Sequence, residues 1–388
     1  MVRRSIGVLV IVAIMAPAVQ PCPATAASAR AADAALDRAL RELVAMPGGP
    51  PSAIAIVQRG AALRVHSAGV AAVGAQAPPR KNDFMRVASV AKAFSGAVAL
   101  SLVDDGVLSL DDTIGQRLPA QPAGWHAVTL RQLLAHTSGL PDFTESEAFI
   151  DAVIHSLTVA PPPAALLTYV ANEPLNFAPG TQYRYSNSDN IAVGLMVEAA
   201  TGMSYEDALR EQVTRPLRLP RTSLPAGPEV PSPLIHGYDL AADGTPEDIS
   251  EDFASGWAWA SGGIISTPTD LNRFIRGYVG GKLFGRRVRR QQRRWVPMGG
   301  SEPPGPGTNS SGLALFRYRT RCGTMLGHTG NTFGFTQFAA ATADGTRSTT
   351  VTMSLQRTQK TVGWGMVVWQ ALRLAEERAV CAALASER

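Results

Sequence analysis

The spacing of apolar positions changes along this chain, and the changes divide it into elements. Over residues 30–46 apolar side chains return at Ala32, Leu36, Leu40, Leu43 and Val44, the pattern of a helix with one buried side. Gly48-Gly49-Pro50-Pro51 ends it. Residues 53–58 and 63–68 then read as two strands joined by a hairpin turn at Arg59-Gly60. A long apolar helix is predicted from 89 to about 103, closed by Asp104-Asp105-Gly106.

The middle of the chain has a different texture. Short helices alternate with proline-rich connections such as Pro161-Pro162-Pro163, and Thr129 caps a helix over 130–135. Residues 187–200 predict a helix with Gly202 as its C-terminal cap. Ser204 and Asp207 form a capping box for the next, which Pro216 stops. After 256 strand character returns. The run Ser261-Gly262-Gly263-Ile264-Ile265-Ser266 has the look of a strand start, and Thr267-Pro268-Thr269-Asp270 opens a helix with cap, proline and acid. Residues 312–319, 323–328, 334–342 and 347–354 read as successive strands, followed by a helix from about 359 to 384. Strands at both ends with helices between them predict an α/β layer built from both termini (about 30–105 and 256–388) and an inserted helical lobe (about 106–255), all one unit over 30–388.

The first 29 residues stand apart. Arg3 and Arg4 precede an apolar run that Pro17 interrupts, and small residues follow through Ala27-Ser28-Ala29. That is the form of a secretory signal peptide and too short a run to span a bilayer. Gln20-Pro21 before Cys22 is unlike a lipoprotein site. Cutting after Ala29 removes two arginines and no acid, so the formal charge falls from +5 to +3, too little to argue for nucleic acid. The export signal points to a secreted, extracytoplasmic protein, where the two remaining cysteines, Cys322 and Cys381, would form one disulfide. Mean hydropathy of +0.03 excludes a multi-span membrane protein. The arginine-rich stretch 285–295 reads as a solvated helix face, with contact to an anionic polymer of the cell envelope as the sharper alternative.

Several chemistries are missing. There is no Gly-x-Ser-x-Gly elbow, no Cys-x-x-Cys or His-Glu-x-x-His, no Walker A loop and no Gly-x-Gly-x-x-Gly turn. Neither a metal nor a cofactor is expected. What is present is Ser89-Val90-Ala91-Lys92, whose serine and lysine share one helix face at i and i+3. Ser89 lies at the helix start, where free N–H groups favour developing negative charge. Of 36 basic residues only Lys81, Lys92, Lys282 and Lys360 are lysines, and Lys92 sits among Val90, Ala91, Phe94 and Val98. Desolvation there would lower its pKa and make it a base; the plainer reading is a capping serine and a snorkelling lysine. Tyr185-Ser186-Asn187 adds a hydroxyl able to move a proton and an amide able to hold a substrate amide. Gly327-His328-Thr329-Gly330-Asn331 adds a strand that a substrate backbone can approach closely. Each motif is weak alone.

Their order, Ser-x-x-Lys then Tyr-x-Asn then a Thr-Gly strand, resembles the serine β-lactamase and penicillin-binding protein superfamily. Leu133-Leu134-Ala135-His136-Thr137-Ser138-Gly139-Leu140, Pro179-Gly180-Thr181 and Gly262-Gly263-Ile264-Ile265-Ser266-Thr267 carry the same resemblance, which covers roughly 35–385. The chain is most similar to secreted serine D-alanyl-D-alanine carboxypeptidases with His-Thr-Gly in place of Lys-Thr-Gly. The resemblance implies an antiparallel sheet of five or more strands flanked by helices. It implies that Ser89 is acylated, that Lys92 and Tyr185 move protons, and that Asn187 and Trp257 contact substrate. His328 and Thr329 would face a terminal carboxylate, while the N–H groups of Ser89 and Asn331 would form the oxyanion hole. It also implies a small peptide or β-lactam as substrate, with cell-wall peptidoglycan as a possible partner. Cys322 and Cys381 fall where that type has its disulfide. Two positions depart. The arginine that helps to bind the carboxylate falls at Phe316 or Arg317, and Asn331 replaces the usual hydroxyl residue. A class C-like β-lactamase, an esterase, and an inactive binding or sensing relative are the alternatives.

Overall fold

The computed structural model describes residues 28–296 and 299–386, so the leader expected over 1–29, with Cys22, lies almost entirely outside the described residues. The helices that frame the site are α1 (Ala29–Ala45), α2 (Ala91–Asp104), α3 (Glu147–His155), α4 (Asn187–Thr201), α5 (Pro268–Gly280) and α6 (Trp364–Leu384). Ser28 caps α1 through the Ala31 N–H, so the helix begins within the expected cleavage region.

The main sheet has seven strands, all antiparallel to their neighbours. β1 (Ser52–Arg59) and β2 (Ala62–Gly69) come from the N-terminal end. β3 (Thr308–Ser311), β4 (Phe316–Thr320), β5 (Gly323–Thr332), β6 (Phe335–Ala341) and β7 (Arg347–Met353) come from the C-terminal end. Their order is β2-β1-β7-β6-β5-β4-β3, and the pairing of β1 with β7, Ile54 opposite Thr352, joins the two ends of the chain. Every residue of β1 is buried, as a central strand covered on both faces requires.

Alternation along the strands separates two cores. Val57, Phe338, Val351 and Met353 face α1 and α6, where Leu36, Leu40, Leu43, Val368 and Leu372 meet them. Ile54, Phe335, Ala339 and Ala341 face the other way, against Phe94 of α2, Phe274 and Ile275 of α5 and the helical lobe. Burying each such Leu or Phe contributes about 1.5–3 kcal/mol before chain entropy is counted. Arg59 fastens the first layer: it pairs with Asp33 of α1 at 2.8 Å and donates to the Ala382 carbonyl of α6 at 2.8 Å.

Three sequence expectations change. Residues 312–319 form no single strand. The chain turns at 312–315, with Ala314 at φ +48°, and separates β3 from β4. The strand start expected at 261–266 is a helical turn, Trp259–Gly262, followed by only Ile265–Ser266, which pairs with Met85–Arg86. The Ser261 carbonyl is turned toward Lys92 instead of a neighbouring strand. The last helix starts at Trp364, after Gly363 at positive φ. The arginine-rich stretch forms the helix Arg286–Gln292. It is partly structural, because Arg289 donates to the Gly280 carbonyl and Arg293 to those of Val279 and Ala343. No helix among the described residues is long and apolar enough to cross a membrane.

Cys322, in the turn between β4 and β5, and Cys381 of α6 have Cα atoms 5.2 Å apart, within disulfide reach. A bridge between them would close a loop of 59 residues, limit the unfolded chain and contribute about 2–4 kcal/mol. The Cys322→Ser/Cys381→Ser double variant should therefore melt several degrees lower than the oxidised protein in calorimetry, and the wild type lacking residues 1–29 should show no free thiol on denaturation. A second prediction concerns Glu376, buried in α6. Burial, opposed by Arg373, raises its pKa from 4.5 to about 8. A carboxyl held neutral in the fold contributes stability that is complete below its unfolded pKa and is lost as pH rises through the folded one. Tm should fall between pH 4.5 and about 8, and Glu376→Gln should flatten that fall.

Candidate active site

Ser89 lies in a single 3-10 turn, Ala88–Val90, that feeds into α2. Ala88 just before it has φ +52°, a left-handed conformation that costs a non-glycine residue about 1–3 kcal/mol and persists only where packing enforces it. β5 supplies that packing: a Cβ on Gly330 would stand 2.9 Å from the Ser89 nitrogen and 2.7 Å from the Val87 carbonyl. Glycine at 330 lets the strand lie directly against the backbone of the turn.

One turn further on, Lys92 is fully buried. Its Nζ donates to Ser89 Oγ at 3.1 Å, to Asn187 Oδ1 at 2.7 Å and to the Ser261 carbonyl at 2.8 Å, and lies 5.0 Å from the centre of the Tyr185 ring. Burial lowers its pKa from 10.5 to about 7, with Asp142, Asp189 and Glu302 pulling it back up. Tyr185 moves the other way. Burial holds its hydroxyl well above the usual tyrosine range despite an interaction with the Ser89 side chain. That interaction falls short of full hydrogen-bond geometry and leaves the buried hydroxyl oxygen without a satisfied partner.

Ser89, Tyr185, Asn187, Trp257 and Asn331 line one cleft of about 570 Å³. Asn187 is held from three sides. Its Nδ2 donates to Asp142 Oδ2 at 2.9 Å and to Thr144 Oγ1 at 3.1 Å, while its Oδ1 accepts from Lys92. Both amide donors are thus engaged before any substrate amide arrives. Trp257 Nε1 donates to the Ser156 carbonyl at 2.9 Å, leaving the ring to face the cleft. Asn331 Nδ2 donates to Thr336 Oγ1 and to the Arg357 carbonyl, which fixes the end of β5.

His328 and Thr329 are placed differently from the other expected site residues. Both are buried and neither lines the cleft. His328 Nδ1 lies 2.5 Å from the Thr329 carbonyl, its ring packs edge-on against Phe316 at 4.9 Å, and burial drops its pKa to about 3. The Thr329 hydroxyl donates to the Pro303 carbonyl at 2.5 Å. Arg317 points away, stacking on Trp295 at 4.8 Å and donating to Ser310. Strand alternation decides between the two positions left open above: Phe316 packs toward His328 and Arg317 does not.

Other contributors lie outside the three motifs from which chemistry was read. Asp142 and Thr144 hold Asn187. Behind Tyr185, His136 lies 4.5 Å away ring to ring. Its Nδ1 is 2.8 Å from Asp189, which also accepts from Ser138 at 2.5 Å. Burial, with Lys92 nearby, lowers the His136 pKa to about 3, so the ring stays neutral. Phe149, Ile150, Val153 and Ile154 of α3, with Phe253 and Phe333, form an apolar wall. Histidine and aspartate this far apart in sequence give no periodic signal, and the wall looks from sequence like any amphipathic helix.

A family model described as Beta-lactamase matches residues 36–372. A penicillin-binding protein of Bacillus subtilis is 31% identical over 159 residues, covering 40% of this chain and 34% of that protein. D-alanyl-D-alanine-carboxypeptidase/endopeptidase AmpH of Escherichia coli is 29% identical over 215 residues, covering 54% of this chain and 52% of that one. The chain thus spans about a third to a half of the length of these curated relatives. Among solved structures, a D-stereospecific amidohydrolase from Streptomyces has a TM-score of 0.76 at 27% identity, covering 89% of this chain and 98% of its own. D-amino acid amidase from Ochrobactrum anthropi shares the fold, with a TM-score of 0.76 at 22% identity over 90% and 98% of the two chains. With its matched region spanning both ends of the sheet and the lobe between them, the chain belongs to the beta-lactamase family.

Proposed function

We propose that this chain is a serine hydrolase of amide bonds that works through an acyl-enzyme on Ser89. The observation that carries the reading is the buried Lys92, its Nζ 3.1 Å from Ser89 Oγ and its pKa brought near 7. A neutral amine there can take the Ser89 proton as Oγ bonds to the substrate carbonyl carbon. The carbonyl π electrons move onto oxygen, where the backbone N–H groups of Ser89 and Asn331 would hold them. Collapse of that intermediate breaks the C–N bond. Tyr185, which stays a phenol at neutral pH, gives its proton to the leaving nitrogen and is reprotonated from Lys92. Water then attacks the ester, frees the acid and restores the serine hydroxyl. Lys92 is therefore the base of acylation and Tyr185 the proton donor.

The relatives of the carboxypeptidase kind support a D-alanyl-D-alanine-type peptide as substrate, with acylation by β-lactams as a corollary. One specific observation favours a second reading, an amidase for D-amino-acid amides. The hydroxyl that would meet a terminal carboxylate, Thr329 Oγ1, is taken by Pro303. The predicted leader and the cysteine pair at disulfide distance support action outside the cytoplasm, on cell-wall peptides or their fragments.

Intact-mass measurement after treatment with p-nitrophenyl acetate and with benzylpenicillin should show an adduct on Ser89 in both cases, and none in Ser89→Ala. The absence of an adduct from both reagents would sink the acyl-enzyme reading and favour a binding or sensing role. Fast release after penicillin would identify a β-lactamase, and turnover restricted to esters an esterase. Lys92→Ala should slow acylation by about a hundredfold or more. The acylation rate constant should rise with pH around a midpoint near 7, as Lys92 loses its proton. His136 and His328, both near 3, contribute no titration there. A flat profile through that midpoint would overturn Lys92 as the base.

A further inference from the structure

The cleft has two unlike ends. One is the apolar wall of Phe149, Ile150, Ile154, Phe253, Trp257 and Phe333. At the other, residues 299–305 run as a strap over the part of β5 that carries Thr329. The strap is anchored along its length. Tyr183 donates to the Gly300 carbonyl, and Tyr318 to Ser301 Oγ at 3.0 Å. Ser301 and Thr329 both donate to the Pro303 carbonyl, at 3.2 and 2.5 Å. Arg373 donates to the Pro304 carbonyl. Gly299 and Gly305 fit where a Cβ would meet the rings of Tyr183 and Tyr318. This much packing makes the strap a fixed wall.

That wall presents acceptors. The Pro303 carbonyl has already taken the Thr329 hydroxyl. Beside it Glu302 projects an exposed carboxylate into the cleft, with no hydrogen bond or salt bridge among the described residues. The charges that face it are Asp142, Glu145, Lys92 and Lys360. Glu145 is paired with Arg184 at 2.8 Å, Lys92 is buried behind Ser89, and Arg317 is turned away onto Trp295. Lys360 on the opposite loop offsets Glu302 in part, and Asp142 keeps the balance negative. Glu302 adjoins Pro303, whose carbonyl covers the Thr329 hydroxyl expected to meet a terminal carboxylate, so it stands where the end of a leaving group would lie. A free carboxylate placed here would face like charge and an unavailable hydroxyl, the arrangement by which a site rejects a substrate. An ammonium would meet the Glu302 carboxylate.

We propose that the 299–305 strap makes Glu302 a specificity-determining residue that favours a cationic leaving group over one ending in a carboxylate. This rests on the acyl-enzyme reading above. The test is a matched set of amides of one apolar D-amino acid, with ethylenediamine, propylamine or β-alanine as the leaving amine. For the wild type, kcat/KM should be about tenfold higher for the ethylenediamine amide than for the propylamide, which corresponds to about 1.4 kcal/mol. It should be lowest for β-alanine. In Glu302→Gln the ammonium preference, read as the ratio of kcat/KM for the ethylenediamine amide to that for the propylamide, should shrink to less than twofold, through KM. Glu302→Lys should invert the order and speed acylation by benzylpenicillin, itself a carboxylate. Equal ratios in wild type and Glu302→Gln, or a wild-type preference for β-alanine, would overturn the proposal while leaving the acyl-enzyme reading intact. Failure of the wild type to form an adduct with either p-nitrophenyl acetate or benzylpenicillin overturns both.

Discussion

The structure of the site depends on an amine held out of water. Removing a lysine side chain from solvent without partners costs several kcal/mol, so the fold must either satisfy its charged form or let it go neutral. It does some of each. Three acceptors from three separated parts of the chain, Ser89, Asn187 and Ser261, close on the Lys92 Nζ. Asp142 supplies negative charge from farther off, and the outcome is a pKa near 7. None of the three segments alone could create this environment. Ser89 and Lys92 come from the turn and helix under the sheet, Asn187 from the start of α4 in the lobe, and Ser261 from the chain's return to the sheet. The lysine is thus what the two layers share.

The same requirement explains the polar groups around it. A second cation within the cluster would push Lys92 further toward neutrality and oppose its recapture of a proton. His136 and His328 both lie close to Tyr185, and burial keeps both neutral. Asp189 is itself buried and pushed well above the usual carboxylate range by desolvation, with Ser138 and His136 as its hydrogen-bond partners. Such a network is worth its desolvation only when its members are satisfied. Its role is to hold the Tyr185 ring and the start of α4 in one position.

Much of this is legible in the chain because its causes are local. The α1 pattern, the hairpin at Arg59-Gly60, the Thr267 cap and the Ser89–Lys92 spacing each depend on a few neighbouring residues, and these elements stand close to where the sequence places them. The parts that differ have causes elsewhere in the chain. Ser261 abandons a strand because its carbonyl is drawn to Lys92, more than 160 residues away in sequence. Residues 312–315 turn because Ala314 must pack on Gly96 and accept the Tyr278 hydroxyl at its carbonyl. Nothing in Thr329 or in Pro303 announces that one caps the other.

That last contact bears on how an edge strand is used. β4 pairs only with Gly323–Gly327 of β5, so His328–Thr332 leave the sheet's ladder open on that side. An open edge is a ready template for another extended chain, and proteins either cover it or use it. Here both occur along one strand. The strap closes the stretch at Thr329, while Asn331 and Thr332 remain on the cleft beside Ser89. Length of open edge is therefore a specificity variable. A relative that left Thr329 uncovered would offer a hydroxyl donor to an extended peptide with a free carboxylate. This chain offers a shorter edge that ends beside the Glu302 carboxylate, so the selection proposed for the leaving-group end would rest on a segment outside the motifs that carry Ser89, Lys92 and Tyr185.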